Sequence, residues 1–173
     1  MLSGCVSGAS SSTTVTVTES QSTAETSASE AATEGIFASQ FDPCEEFSDE
    51  QLAAVGLVFR VEVPAMPQRI KACGFGHQED SFSGSFLLAT DPAGFDEIES
   101  QGLEPLQVKE SIAGTIYIHK IPDNSRQCVA SVDFNWGRFS VDYFETGEGW
   151  DQQALCEEPV EILDSLITVI RGK

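Results

Sequence analysis

Hydrophobic and polar residues are distributed differently before and after about residue 40. Residues 6–40 are rich in Ser, Thr, Ala and Glu, have no aromatic residue before Phe37, and contain no Lys or Arg. Such a composition cannot bury enough apolar surface to offset the entropy lost on ordering the backbone, so we expect a disordered tether. In residues 41–173 apolar residues recur at strand and helix spacings, and this length suits one globular domain.

Alternation of apolar and polar residues predicts several antiparallel strands in this domain. The predicted strands cover residues 59–63, 69–75, 83–90, 106–110, 114–121, 128–135 and 138–144. The last two form the clearest hairpin, because they flank the short turn Asn135-Trp136-Gly137. Cys128 falls on the same predicted face as Val132 and Phe134, so we expect it to point into the core.

Two short helices are predicted from their start signals. Ser48, with Gln51 three residues later, forms a capping box that begins a short amphipathic helix ending at Gly56. Asp91-Pro92 begins a connecting helix that buries Phe95.

A final helix is predicted over about residues 157–170, with Pro159 tolerated in its first turn. Its apolar positions at helical spacing are Val160, Leu163, Ile167 and Ile170. The predicted fold class is therefore α+β. We expect a curved antiparallel β-sheet with a short N-terminal helix, a connecting helix and a C-terminal helix packed on it.

The first residues suggest a membrane anchor. Leu2-Ser3-Gly4-Cys5 reads as a lipobox, at which a secretory precursor is cut and the exposed cysteine is acylated. Residues 1–5 would then be the remnant of a signal peptide whose basic and apolar regions lie upstream of Met1. Cys5 is the predicted lipidation site, and residues 41–173 are the globular lipoprotein domain. The alternative is a cytosolic protein in which this motif occurs by chance.

Four further cysteines lie in the domain: Cys44, Cys73, Cys128 and Cys156. An even number in an exported domain predicts two disulfides with three possible connectivities. We prefer Cys44–Cys73 and Cys128–Cys156, because each pair closes a loop of about 30 residues. The crossed pairs Cys44–Cys156 and Cys73–Cys128 remain an alternative that would tie the terminal helices together.

The chain has a net charge of −19, of which four glutamates of the tether supply −4 and the domain −15. Such a surface repels nucleic acid and anionic headgroups, so we expect no nucleic-acid partner. It favours cationic partners or divalent ions, although solubility at the cell surface is sufficient to explain it.

Residues with catalytic or ligand-binding chemistry form no recognisable motif. His77, Glu79, Asp80 and His119 could be imagined as metal ligands, but they lack the spacing of a zinc signature, so no metal or other cofactor is predicted. We find no nucleophile elbow, and acidic residues are too abundant for any pair of them to indicate a catalytic site. The aromatic residues of the last third favour a core over a ligand groove: Phe134, Trp136, Phe139, Tyr143, Phe144 and Trp150.

Several short motifs together resemble an uncharacterised family of actinobacterial lipoproteins, domain of unknown function 3558. The resemblance rests on the lipobox, the Ser/Thr-rich tether, Phe41-Asp42-Pro43-Cys44 and the helix that ends near Gly56. It covers about residues 40–171 and departs from the family near Cys73, where a tryptophan is expected. The family implies location and fold, and it brings no assigned activity.

We therefore expect a lipoprotein anchored to the extracytoplasmic face of the cell membrane that acts as a non-catalytic binding or interaction module. The expected partners are the membrane, through the lipid on Cys5, and a cell-wall component or another envelope protein. The alternatives are a cell-wall-directed enzyme and a divalent-cation-binding surface protein. A deep cleft with two carboxyls of raised pKa would favour the enzyme.

Overall fold

The computed structural model describes residues 35–77, 84–103, 105–121, 123–147 and 151–171. The lipobox with Cys5, most of the predicted tether, Glu79, Asp80 and Trp150 lie outside these residues. None of the helices within the described ranges combines the length and the apolar composition needed to cross a bilayer.

The described residues form one open sheet of seven antiparallel strands in the order β1-β2-β3-β7-β6-β5-β4. The strands are β1 Leu57–Val61, β2 Lys71–His77, β3 Ser85–Asp91, β4 Gln107–Ser111, β5 Gly114–His119, β6 Gln127–Phe134 and β7 Gly137–Phe144. Each strand begins and ends within two residues of its predicted bounds. The predicted antiparallel α+β class is confirmed.

Four α-helices and one 3₁₀ turn occur in the described residues. They are the 3₁₀ turn Gly35–Ala38, α1 Pro43–Glu46, α2 Asp49–Ala54, α3 Phe95–Glu99 and α4 Gln152–Arg171. Helices α1 and α2 contact β1, β2 and β3, whereas α4 packs on β6 and β7. Helix α3 lies on the opposite face of the sheet, where the Phe95 ring stacks on Tyr117 with 4.3 Å between the ring centroids.

The hydrophobic core lies between the sheet and helices α1, α2 and α4. Alternate residues of the central strands point into it, including Cys128 as predicted. The buried side chains of β6 and β7 on this face are Cys128, Ala130, Val132, Phe134, Phe139, Val141 and Tyr143. Opposite them α4 buries Leu155, Val160, Ile162, Leu163, Leu166 and Ile167.

The predicted start of the C-terminal helix is wrong. Helix α4 begins at Gln152 rather than near residue 157, so Pro159 lies in its interior. An interior proline costs about 3 kcal/mol, because it removes one backbone hydrogen bond and clashes with the preceding turn. Tertiary contacts offset this cost, since Leu155 is buried in the core and Cys156 is linked to Cys128 on β6.

The predicted start of the connecting helix is also wrong. Asp91 is the last residue of β3 and is the cross-strand partner of Arg138 on β7. The helix begins at Phe95, whose backbone N–H donates to the carboxylate of Asp133 on β6, at 2.8 and 3.0 Å to the two oxygens. This contact between distant residues, rather than a local cap, fixes the start of α3.

Residues 35–40, which composition assigns to the tether, contact the folded domain. Phe37 is buried in the core and stacks on Phe134 with 4.9 Å between the ring centroids. The Gln40 side chain donates to the carbonyl oxygens of Arg69 at 2.7 Å and Thr90 at 3.2 Å.

The predicted capping box of α2 is present. The Ser48 hydroxyl accepts a hydrogen bond from the Gln51 N–H at 3.3 Å, and the Gln51 side chain accepts one from the Ser48 N–H at 2.9 Å. Replacing Ser48 by alanine should lower the free energy of unfolding by about 1 kcal/mol, because it leaves a helical N–H without its acceptor. Urea unfolding followed by circular dichroism measures this. Ser48→Asn is the control, because it retains an acceptor and should stay near the wild-type stability; equal losses in both variants would contradict the role of the cap.

Candidate functional site

A groove runs between the edge of the sheet and the N-terminal half of α4. It forms because α4 packs mainly on β6 and β7, and no described helix packs extensively on β4. The groove has a volume of about 620 Å³. We call it the α4–β4 groove.

The floor of the α4–β4 groove is apolar and its walls are polar. Ile118 and Val160 are both buried and form the floor together with the half-buried Cys156. On the strand side the wall consists of Leu106, Gln107 and Lys109, and on the helix side of Asp151, Gln153, Glu157 and Glu161. Gln153, Glu157 and Glu161 are spaced four residues apart, so they form a line along one face of α4.

The helix wall gives the α4–β4 groove a negative charge. Asp151, Glu157 and Glu161 are exposed, and none of the ion pairs among the described residues involves them. Lys109 supplies the single positive charge among the residues that line the groove. The arrangement suits a ligand that combines a cationic group with an apolar part.

A second polar feature lies on the opposite face of the sheet. Cross-strand pairing places Asp91 of β3 beside Arg138 of β7, and Arg138 beside Asp133 of β6. Asp142 lies on the same face of β7, four residues further along the strand. We call Asp91, Asp133, Arg138 and Asp142 the acid–arginine cluster.

Each carboxylate of the acid–arginine cluster has a hydrogen-bond donor. Asp142 accepts hydrogen bonds from Gln127 Nε2 at 2.6 and 2.8 Å, and the Phe95 N–H donates to Asp133 as described above. Asp91 accepts from the Ala93 N–H at 3.0 Å. Because these carboxylates are already engaged, they hold the outer face of the sheet together.

Arg138 is the central cation of this cluster. Its Nη2 lies 3.8 Å from Asp91 Oδ2, and its side chain is 17% exposed. Burial lowers the pKa of Arg138, and the neighbouring charges of Asp91, Asp133 and Asp142 act in the opposite direction. Its Nε and Nη1 atoms are buried and have no hydrogen-bond partner among the described residues, so a ligand cannot reach them directly.

Burial shifts the pKa values of two acids in this cluster, Asp133 and Asp142. It raises the pKa of Asp142 to about 6, although the Gln127 hydrogen bond and the Arg138 charge act against the shift. The pKa of Asp133 is also raised, mainly by burial. These perturbed residues could not be identified from the sequence. Alternation places Asp133 on one face of its strand, but the burial that raises its pKa depends on how the whole fold covers that face.

His119 is buried on the same face, and only 4% of its surface is exposed. Its ring lies 5.5 Å from the Phe95 ring, and burial together with the charge of Arg138 lowers its pKa to about 4. His77, the other histidine considered as a metal ligand, ends β2, which three strands separate from β5. The structure therefore does not bring the two together, and within the described ranges no group of three His, Cys, Asp or Glu residues could hold a metal ion.

Asp142 and His119 should have opposite effects on the pH dependence of stability. The pKa of Asp142 in the folded protein lies above its usual 3.8, so its stabilising contribution is present at low pH and is lost as the pH rises to about 6. The pKa of His119 lies below its usual 6.5, so stability is gained as the pH rises from about 4 to 6.5. Each effect amounts to about 3 kcal/mol over this interval.

Urea unfolding at pH 4, 5 and 6.5 separates these two contributions. Relative to wild type, Asp142→Asn should become more stable by about 3 kcal/mol as the pH rises, because the cost of ionising the buried acid is removed. His119→Gln should become less stable by a similar amount, because the pH-dependent gain is lost. Parallel profiles for all three proteins would contradict the assigned shifts.

The aromatic residues considered for a ligand groove belong mostly to the core. Phe134, Phe139 and Tyr143 are buried, and the Trp136 indole N–H donates to the Phe37 carbonyl at 2.8 Å. Phe144 is partly exposed, on the outer face of β7. None of the residues that line the α4–β4 groove is aromatic.

The described residues contain two disulfides, and they are the preferred pairs. Cys44–Cys73 joins α1 to β2, and Cys128–Cys156 joins β6 to α4, with Cα–Cα distances of 5.3 and 5.2 Å. The residues around Cys44–Cys73 could not be predicted from the sequence. There the Arg60 guanidinium donates to Cys73 Sγ at 3.1 Å.

Comparison with known proteins gives a family and no activity. No curated protein and no solved structure matches the chain significantly. A family model described as a protein of unknown function (DUF3558) matches residues 1–168, which is nearly the whole sequence. The chain therefore belongs to the DUF3558 family.

Proposed function

We propose that this protein is a lipid-anchored, non-catalytic binding module of the cell envelope, and that the α4–β4 groove is its ligand site. The observation that carries the proposal is the groove itself, an apolar floor of Ile118 and Val160 beside the exposed carboxylates of Glu157 and Glu161. Ligand sites commonly combine an apolar lining with a few polar groups that set orientation and specificity.

Two features support a location outside the cytoplasm. The Leu2-Ser3-Gly4-Cys5 motif precedes a Ser/Thr-rich segment, as expected of an acylated protein on a tether. Disulfides such as Cys44–Cys73 and Cys128–Cys156 persist in oxidising compartments and are rare in the cytosol.

The anchor is tested by expressing the gene with its natural upstream region in an actinobacterial host. We expect the wild-type protein in the membrane fraction, with an intact mass that matches cleavage before Cys5 plus acyl chains. Cys5→Ser should abolish both the acylated mass and the membrane association. An unacylated wild-type protein that retains Met1 would overturn the proposed location.

The groove is tested by photocrosslinking in the same cells. A photoreactive amino acid at Gln107, on the strand wall, should give a discrete adduct that Glu157→Gln with Glu161→Gln reduces. The same amino acid at Glu50, an exposed position on helix α2, is the matched control and should give no such adduct. Adducts of equal yield at both positions, or insensitive to the helix wall, would contradict a ligand site in the groove.

A hydrolytic enzyme is the second candidate, because burial raises the pKa of both Asp133 and Asp142. Both carboxylates already accept hydrogen bonds from the protein, so a structural role explains their presence and no substrate is needed to explain it. Turnover of purified cell wall by the wild-type protein, abolished in Asp142→Asn, would favour this candidate. We expect no turnover in either protein.

A further inference from the structure

Strand β4 borders the α4–β4 groove and is an edge strand of the sheet. It pairs with β5 on one side, and no described residue pairs with its other side. All residues from Gln107 to Glu110 are exposed. An edge strand presents a row of unpaired backbone N–H and C=O groups, to which an extended peptide can add as a further strand.

The side chains of β4 divide between the two faces of the sheet. Gln107 and Lys109 are the partners of Ile118 and Ile116, so they lie on the groove side. Val108 is the partner of Tyr117 and lies on the opposite face, where 49% of its surface is exposed. A strand added beside β4 would therefore place every second side chain in the charged groove. Its remaining side chains would lie on the opposite face of the sheet, beside the apolar Val108.

Charge decides which side chains suit the groove side. Three carboxylates border this space: Asp151, just before α4, and Glu157 and Glu161 on it. None of them takes part in an ion pair among the described residues, and Lys109 is the one cation among the lining residues. A lysine or arginine of an added strand could reach across to them, because its long aliphatic stem would pack on the apolar floor while its head remains in water. An acidic ligand would be repelled here, and the net charge of −19 extends that repulsion to long range.

We propose that the β4 edge binds an extended segment of a partner protein in which basic residues alternate with apolar residues. This inference rests on the proposed function, because it names the partner of the same groove. Backbone hydrogen bonds to β4 supply affinity, and the α4 carboxylates select the basic face of the segment. A wall sugar fits less well, because sugar sites commonly offer an aromatic ring for stacking and none of the groove residues is aromatic.

The probe is a fluorescent eight-residue peptide of alternating lysine and valine, used below its self-association concentration with the full chain. Fluorescence anisotropy should show saturable binding that weakens as the salt concentration rises. A glutamate–valine peptide of the same length should not bind, and a peptide with all lysines before all valines should bind more weakly. Equal binding of all three peptides would overturn the inference.

Variants of the helix wall test the role of charge. Glu157→Gln with Glu161→Gln should weaken binding by about three- to thirtyfold, as expected for two exposed ion pairs. Glu45→Gln with Glu46→Gln is the matched control, because it removes the same charge from exposed positions on α1 and should leave the affinity almost unchanged. Equal losses of affinity in the two double variants would show that binding depends only on net charge, and this would contradict the inference.

Amide methylation tests the strand pairing itself. Only alternate amides of an added strand point toward β4, so peptides methylated on the odd or the even amides should differ. We expect one of these peptides to lose binding and the other to retain it. Similar affinities for both would exclude strand addition. If the adduct at Gln107 forms in cells while the lysine–valine peptide fails to bind, the groove remains the proposed ligand site and the proposed kind of partner is wrong.

Discussion

Replacing Arg138 by methionine is expected to lower the free energy of unfolding by about 3–5 kcal/mol at pH 7. The substitution removes the central cation from Asp91, Asp133 and Asp142 while largely retaining the volume of the side chain. The pKa values of Asp133 and Asp142 should rise further, because the Arg138 charge opposes their upward shift in the wild-type protein. Urea unfolding measures the loss.

The pH dependence of this loss distinguishes charge from packing. A carboxyl whose pKa is raised on folding contributes stability at low pH that is lost as the pH rises, so Arg138→Met should be most destabilised at pH 7 and less so at pH 4. Loss of Arg138 also removes one cause of the lowered pKa of His119, and this change acts in the same direction. A loss that is equal at both pH values would contradict the electrostatic role.

Arg69→Met is the matched control for Arg138→Met. Arg69 lies 3.5 Å from Asp91, but its side chain is 52% exposed, so its ion pair should contribute less than about 1 kcal/mol. Combining Arg138→Met with Asp142→Asn should recover part of the loss, because one uncompensated acid is removed.

Removing the Cys128–Cys156 disulfide by substituting both cysteines with alanine should lower the free energy of unfolding by about 3–4 kcal/mol. The bridge joins residues 28 positions apart and restricts the unfolded chain accordingly. It also fixes the first turns of α4 to the buried strand β6, although Pro159 weakens the helix there. Guanidinium unfolding under non-reducing conditions measures the change. Reduction of the wild-type protein breaks both disulfides and should therefore lower the free energy of unfolding more than the Cys128→Ala, Cys156→Ala variant does.

The other disulfide provides a control with a nearly equal loop. Cys44 and Cys73 are 29 positions apart, so their removal should cost a similar amount through the unfolded state. Amide hydrogen exchange should separate the two variants, because only loss of Cys128–Cys156 should expose the amides of residues 152–158. Equal exchange in both variants would show that the bridge does not hold the start of α4.

Loss of the Cys128–Cys156 bridge should also affect the proposed ligand site, because Cys156 lies in the floor of the α4–β4 groove. A helix start that frays would displace Glu157 and the rest of the carboxylate wall. We therefore expect the lysine–valine peptide to bind the oxidised protein more tightly than the reduced one, in keeping with the proposed location outside the cytoplasm.

Local patterns in the sequence determined the elements of this fold. Two short-range features are predicted correctly: the capping box at Ser48 and Gln51, and the turn Asn135-Trp136-Gly137. Each depends on hydrogen bonds and backbone angles of residues that are close together in the sequence. Gly137 shows why such a turn needs its glycine: φ is 138°, and a Cβ there would lie 2.2 Å from the Asp91 carbonyl oxygen. Alternation likewise set the strand bounds and the inward direction of Cys128.

Tertiary structure alone decided where α3 and α4 begin and which residues far apart in the sequence meet. Helix α4 passes through Pro159 because burial of Leu155 and the bond from Cys156 outweigh a local preference. Sequence order does not reveal that β3 lies beside β7, so the pairing of Asp91 with Arg138 could not be predicted. The groove joins residues 106–118 to residues 151–161 for the same reason: strand order and helix placement follow from burying the whole core, which no local pattern encodes.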